Sequence, residues 1–261
     1  MTSYKPVAAV LRGFDILQAV NTHENADLKT LHAATGHDKA TILRMLHTLV
    51  HAGYVMENTE NGGYTVTGRT LQLSSGYNQS RQFGLLLPSA LKSFRAEVGW
   101  PSDFAMLDGT EMIVIETSRD NGPMSVNRQR GFRAPVLRTS IGRAYLAYCS
   151  DAQRQNLVDQ LRSRSAATGE HVPTDNEIET LVASVRTNGY ATMDDNYSNE
   201  EYDGLFWAVA VPVIEEDRLF GTLNLMMLKR ATTRKQVEAE LLPKLKAAAE
   251  DLAAAFVAAG V

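Results

Sequence analysis

Apolar residues recur every three or four positions through most of the first fifty residues. Ile42, Met45, Leu46, Leu49 and Val50 form one such stripe, the period of a half-buried helix. Asp38 stands where a short carboxylate accepts the free N–H groups of a first helical turn. Gly53 stands where a left-handed residue ends one. The opposite face carries Thr41, Arg44, Thr48 and His51, one long cation among short hydrogen-bonding side chains. That face suits a polar, anionic partner; the plainer reading is a solvated face. Upstream, Asp27 caps a shorter helix with Leu28, Leu31 and Ala34 on one side, and Gly36 follows. Helix, glycine turn and second helix make the helix-turn-helix pattern, whose second helix enters a major groove. Before it, Val10, Phe14, Leu17 and Val20 predict the core face of a third helix. After it, Asn61-Gly62-Gly63 sits between two short strand-like runs, a hairpin signal. Three helices and a hairpin predict a winged helix-turn-helix.

A boundary is expected after about residue 75. "GRTLQLSSGYNQSRQFG" starts helical and then fills with Gly, Ser, Asn and Gln; its Leu71, Leu73 and Tyr77 pack against a second subunit or within the chain. Leu87, Leu91, Phe94 and Val98 then mark a longer amphipathic helix. From residue 101 the period changes to two. "SDFAMLDGTEMIVIETS" predicts a hairpin around Asp108-Gly109, and "MSVNRQ" is a candidate strand. "TSIGRAYLAYC", "DAQRQNLVDQLRSR" and "DNEIETLVASVRTNG" predict helices, the last two with acidic caps. "YATMDDNY", "LFWAVAVPVIEED" and "RLFGTLNLMML" predict strands, with a turn at Glu216-Asp217, and residues 233–259 a closing helix. Strands, helices, then strands read as a mixed α/β fold of the α+β type with an antiparallel sheet. The expected organisation is a winged helix-turn-helix over residues 1–68, a linker helix over 69–84 and a second domain over 85–261.

A chain of 261 residues accommodates two domains. Its net charge of −4 gives no global basic signal, and residues 1–80 carry six Lys or Arg against six Asp or Glu. Phosphate contacts therefore fall to Lys39, Arg44, Lys5, Arg12, hydroxyls and backbone N–H groups. With so few cations, each module should bind modestly and more than one should be needed. His47 and His51, four apart on a helix, are read as exposed or half-packed rather than metal ligands, because no third ligand is placed beside them. The single cysteine, Cys149, forms no internal disulfide and fits a reducing, cytoplasmic setting. No apolar run approaches a membrane span.

The chain resembles the IclR family of bacterial transcription regulators. The resemblance rests on "LRGFDILQAV", "LHAATGHDKATILRMLHTLVHAGYV" and the hairpin, and then on "PVLRTSIGRAYLA", "NGYA", "AVAVPV" and "GTLNL". "VGWPSDFAMLDG" and "TSIGRAYLAYC" look closest to the branch regulating aromatic-acid catabolism, as a phenylpropionate regulator does. The resemblance implies a GAF-like effector domain and an effector pocket that includes "TSIGR"; the residue pattern itself supplies the expected operator contacts, Lys39, Thr41, Arg44, Thr48, His51 and Arg12. It also places Ala208 and Asn224 at effector-contacting positions.

Residue chemistry agrees with such a pocket. Thr139 and Ser140 stand at a helix start, where free N–H groups and the helix dipole favour an anion. Ile141 follows, Gly142 would admit a ligand close to the backbone, and Arg143 would pair with a carboxylate. Each also reads as an ordinary cap, packing glycine or surface charge. Thr222, Asn224 and Met226 share one strand face, and a buried amide needs a ligand or a neighbour as partner. Phe104 and Met106 would supply an apolar wall. A Met-lined pocket with one anionic end suits an aromatic carboxylate better than a two-carbon acid. The alternative effector is a short keto acid such as glyoxylate or pyruvate. The rival class is an enzyme, but G-x-S-x-G, H-E-x-x-H, P-loop and C-x-x-C motifs are absent. The acidic pairs Asp194-Asp195 and Glu200-Glu201 read as a solvated loop. The expected partners are double-stranded operator DNA, a small carboxylate and a second copy of the chain, as a homodimer or a dimer of dimers. No cofactor, metal or membrane is expected.

Overall fold

The computed structural model describes residues 5–23, 25–58, 62–74, 83, 86–118, 129–168 and 171–260. Contacts divide the chain into two compact units, Met1–Asn78 and Gln79–Val261.

The first unit opens with helices α1 (Ala8–Thr22), α2 (Leu28–Thr35) and α3 (Lys39–His51), followed by strands β1 (Val55–Glu57) and β2 (Tyr64–Val66). Asp27 and Asp38 cap α2 and α3 by accepting the N–H groups of Thr30 and Thr41. Gly36 takes φ +67°, a left-handed turn that glycine adopts without strain. The strands pair antiparallel, Val55 opposite Val66 and Glu57 opposite Tyr64. Ile16, Val20, Leu31, Ile42, Leu46, Val55 and Tyr64 form the core. Two expected core positions lie outside it. Val10 is 53% and Phe14 59% exposed, because α1 buries the side carrying Ile16, Leu17, Ala19 and Val20. Val50 of α3, at 38%, is a third. A 3-10 helix, Gly68–Ser74, ends the described part of this unit, with Leu71 and Leu73 exposed. The remainder of the expected linker and Tyr77 lie outside the described residues, apart from Phe83, and so do Asn61 and most of the candidate strand "MSVNRQ".

The second unit contains α4 (Lys92–Val98), β3 (Asp103–Asp108), β4 (Glu111–Thr117), β5 (Arg133–Pro135), α5 (Ser140–Tyr148), α6 (Asp151–Thr168), α7 (Asp175–Asn188), β6 (Ala191–Thr192), α8 (Asp195–Tyr202), β7 (Phe206–Glu215) and β8 (Arg218–Leu228). A helical turn at Arg234–Gln236 passes through a π-helical turn, Val237–Leu241, into α9 (Leu242–Ala258). The six strands form one antiparallel sheet in the order β5-β4-β3-β8-β7-β6. One face packs Ala105, Val114 and Ala210 against α5, α6 and α7. On the other, Phe104 meets Phe256 of α9 with ring centroids 5.5 Å apart. Both faces are therefore covered, and the strands carry apolar residues in both registers.

Three local expectations change. "YATMDDNY" is a strand only at Ala191–Thr192, because Asp194 accepts the Tyr197 N–H and starts α8. The acidic pairs consequently belong to a helix and its cap, not to a loop. Hydroxyls serve where acidic caps were expected for α6 and α7. Ser150 Oγ accepts the Gln153 N–H, and Thr174 forms a capping box with Glu177.

Candidate nucleic-acid interface and ligand-binding face

The Asp38 cap decides how α3 presents its side chains. Asp38 accepts both the N–H and the hydroxyl of Thr41, at 2.9 and 2.7 Å. The Thr41 hydroxyl and N–H hold the Asp38 carboxyl below its usual range. Thr41 is thereby turned inward and buried. Its expected place on the outward polar face is corrected by its own hydroxyl, which binds the cap instead.

Lys39, Arg44, Thr48 and His51 are exposed, as is Arg12 on α1. At 3.6 residues per turn, Ala40, Arg44, His47, Thr48 and His51 fall within one sector about 100° wide. Lys39, in the first turn, points away from that sector, so its position does not group it with Arg44. His47 belongs in the sector, and its spacing of three from Arg44 was the signal for it. Among the described residues, Arg44 and Lys39 make no ion pair. Thr48 donates its hydroxyl to the Arg44 carbonyl at 2.9 Å, on the exposed side of the helix. Among the described residues, no group of three or more His, Cys, Asp or Glu is placed to hold a metal.

The segment "RTSIGR" is built differently from an open anion site. Thr139 caps α5: its hydroxyl donates to the Pro135 carbonyl at 2.8 Å and accepts the Gly142 N–H at 3.2 Å. Ser140 and Ile141 are buried. A Cβ on Gly142 would lie 2.2 Å from the Val136 carbonyl oxygen. Its missing side chain therefore admits the neighbouring backbone rather than a ligand. Arg143 donates through Nε to Leu137 O at 2.8 Å, through Nη1 to Thr192 O at 3.3 Å and through Nη2 to Asp194 Oδ2 at 2.6 Å. For Asp194, burial alone would raise the carboxyl pKa. The Tyr197 N–H and the Arg143 guanidinium outweigh it and leave the carboxyl below its usual range. Arg143 thus ties α5 to the start of α8 and is engaged inside the protein, where a ligand partner was expected.

Ala208, Asn224 and Met226 do share a sheet face. Ala208 pairs with Met226 and Ala210 with Asn224. Ala208 and Met226 pack with Met193 and Tyr197. Asn224, however, has a neighbour as partner: its Oδ1 accepts the Asp103 N–H at 2.7 Å and its Nδ2 donates to Asp103 Oδ2 at 3.2 Å. Phe104 and Met106 are not the opposing wall. Phe104 pairs with Leu223, and both it and Met106 lie on the sheet face opposite Ala105, which packs toward α5. Alternation was correctly read along β3; the side to which it points was not. Thr222 was missed as a site residue. It is fully buried, and its Oγ1 has no hydrogen-bond partner among the described residues. Among the described residues, no helix is long and apolar enough to cross a membrane.

Comparison with known proteins bears on both units. The family described as "Bacterial transcriptional regulator IclR C-terminal" matches residues 89–254, and the "IclR helix-turn-helix domain" matches residues 9–58. The Pca regulon regulatory protein of Pseudomonas putida is 24% identical over 251 residues, covering 94% of this chain and 83% of its own length. The Pca operon regulatory protein of Acinetobacter baylyi is 26% identical over 256 residues, covering 94% of this chain and 88% of its own. An IclR homologue from Microbacterium hydrocarbonoxydans, solved with 4-hydroxybenzoate, superposes with TM-score 0.65 at 17% identity, over 96% of this chain and 99% of that one.

Proposed function

This chain belongs to the IclR family of bacterial transcription regulators, and on that footing we propose that it controls genes for the breakdown of an aromatic acid or related small carboxylate, binding its operator as a homodimer. It is a regulator and not an enzyme. Arg44, Thr48, His51 and the adjacent His47 are the groups offered to the major groove, with Lys39 and Arg12 as phosphate contacts. The observation that carries the DNA reading is the exposed sector around Arg44, whose guanidinium has no ion-pair partner among the described residues.

The aromatic class draws support from the Pca regulators among the relatives and from the 4-hydroxybenzoate held by a protein of the same fold. In this chain the effector lies on the sheet face of Thr222, Ala208 and Met226, below α5 and α8. Thr139, Ser140, Gly142 and Arg143 shape that site through the backbone and through α8.

Dimerisation is supported by α1. Val7, Val10, Leu11 and Phe14 recur at spacings of three, one and three, and each is at least 53% exposed. Val10 and Phe14 line an apolar groove of about 490 Å³ that continues over Leu17, Met45 and Leu49. Such a stripe on one helix is a seam for a second helix. The mechanism is a population shift: an acid that binds one arrangement of the dimer more tightly than another changes operator affinity by that difference. A gel-shift titration on DNA upstream of the chain's own gene, with and without 4-hydroxybenzoate, protocatechuate, phenylpropionate, glyoxylate and pyruvate, tests the reading. Affinity that responds to an aromatic acid supports it. A response to the keto acids alone overturns the aromatic assignment, and no DNA binding overturns the regulator assignment.

A further inference from the structure

We infer that Arg69 is a positioning residue for operator binding, fastening the end of the recognition helix α3 to the segment through which the chain leaves the first unit. The inference rests on the DNA-binding reading above. Three successive carbonyls at the end of α3 are held from residues 67 and 69. Ala52 O accepts from Arg69 Nη1 at 2.8 Å, Gly53 O from the Thr67 hydroxyl at 2.6 Å, and Tyr54 O from the Thr67 N–H at 2.9 Å. The Arg69 N–H in turn donates to Thr67 Oγ1 at 3.2 Å.

Arg69 adds more than a hydrogen bond. Its guanidinium carbon lies 5.1 Å from the centroid of the Tyr54 ring, so the planar cation stacks on the residue that follows the helix end. A cation at a helix C-terminus also meets the negative end of the macrodipole and a carbonyl left without an intrahelical donor. A displacement of residues 67–70 therefore moves the end of α3 with it. Residues 68–74 are the last described residues before the chain passes to the second unit. This attachment is one route by which a displacement of the exit segment reaches α3.

The rival role for an exposed arginine here is direct contact with a phosphate, and salt dependence separates the two. A duplex selected from random DNA with the wild-type protein, fluorescein-labelled, is titrated at several salt concentrations with wild type, Arg69→Ala and Arg69→Lys. Amide exchange over residues 49–53 is followed in the free proteins. Arg69→Ala should weaken binding about tenfold while leaving the slope of log affinity against log salt unchanged, and should speed exchange at the helix end. Arg69→Lys, which keeps the charge at the carbonyls without the planar stack, should fall between. A slope shallower by about 0.9 per subunit makes Arg69 a phosphate contact and overturns the inference. So does unchanged affinity, or unchanged exchange. If Arg69→Ala unfolds the unit, Arg69→Gln is judged by the same criteria. A wild-type protein that selects no DNA sinks the DNA-binding reading instead; exchange over residues 49–53 still decides whether Arg69 holds the helix end.

Discussion

Asn224 and Asp103 are joined across β8 and β3 through both ends of the asparagine amide. Oδ1 accepts the Asp103 N–H and Nδ2 donates to its carboxylate, while Thr117 donates its hydroxyl to the other carboxylate oxygen at 2.8 Å. All three residues are buried. Asn224→Leu removes the acceptor of the buried Asp103 N–H and one of the donors to its carboxylate. It should lower stability by about 2–4 kcal/mol, since stranded buried polar groups lose their solvation without replacement. Urea denaturation measures this. A loss under 1 kcal/mol would show that the Asn224 amide adds little to holding Asp103 in place.

Arg44 and Thr41, three residues apart on α3, should separate function from stability. Arg44→Ala should weaken operator binding by about 1–3 kcal/mol per subunit and leave the melting temperature unchanged, because the side chain is exposed. Thr41→Ala should do the reverse, costing about 1 kcal/mol of stability through the Asp38 cap. Fluorescence anisotropy on operator DNA and thermal denaturation give the two readouts. Equal operator affinity in a folded Arg44→Ala protein would remove α3 from the groove.

The capping carboxylates set an acid limit on the helix-turn-helix. Asp38 has its pKa lowered by the Thr41 hydroxyl and N–H, and Asp27 by the Thr30 N–H and hydroxyl. A carboxyl lowered on folding stabilises the fold above its unfolded pKa, near 3.8, and loses that contribution as pH falls through its folded value. The helicity of the first unit should therefore hold down to about pH 4 and decline below it. Asp38→Asn should flatten part of that decline, as followed by circular dichroism. A pH profile identical to wild type would contradict the assignment.

The stripe on α1 predicts a mutant that is folded but alone. Val10→Asp combined with Phe14→Asp places charges on residues already 53% and 59% exposed, so the melting temperature of the dissociated unit should be little changed. Light scattering should show loss of the dimer formed through this face, and operator binding should weaken because two half-sites no longer act together. An unchanged mass would put the contact elsewhere.

These mutants also show where sequence and structure part. The Asp27 and Asp38 caps were legible because a cap is local: acceptor and donor lie three residues apart. The buried side of α1 was not, since the helix carries apolar residues on two sides and periodicity does not say which meets the core. The same limit applied to Phe104 and Met106 in a sheet covered on both faces. Arg143 was read as a free cation because Asp194 lies 51 residues away, and no local pattern announces such a pair. The strand around Asn224 was read correctly, but its partner Asp103 is 121 residues distant.

Thr222 offers the sharpest test of the effector face. Its Oγ1 is buried without a hydrogen-bond partner among the described residues, on a strand face shared with Asn224 and Met226. An unsatisfied buried hydroxyl destabilises the free protein, so Thr222→Val, nearly equal in shape, should raise its stability by about 1 kcal/mol. If the hydroxyl serves the effector, the same change should lower the affinity for it, because the ligand's polar group then goes unpaired in turn. Ligand that binds only the folded form raises the melting temperature. The wild-type protein should therefore gain more from 4-hydroxybenzoate or protocatechuate than Thr222→Val does, although the variant starts higher. Thermal shifts and calorimetry on both proteins read the two effects separately. A variant that is stabilised yet binds the acid as well as wild type would confine Thr222 to packing. A variant that is destabilised would mean that its hydroxyl is already satisfied within the fold.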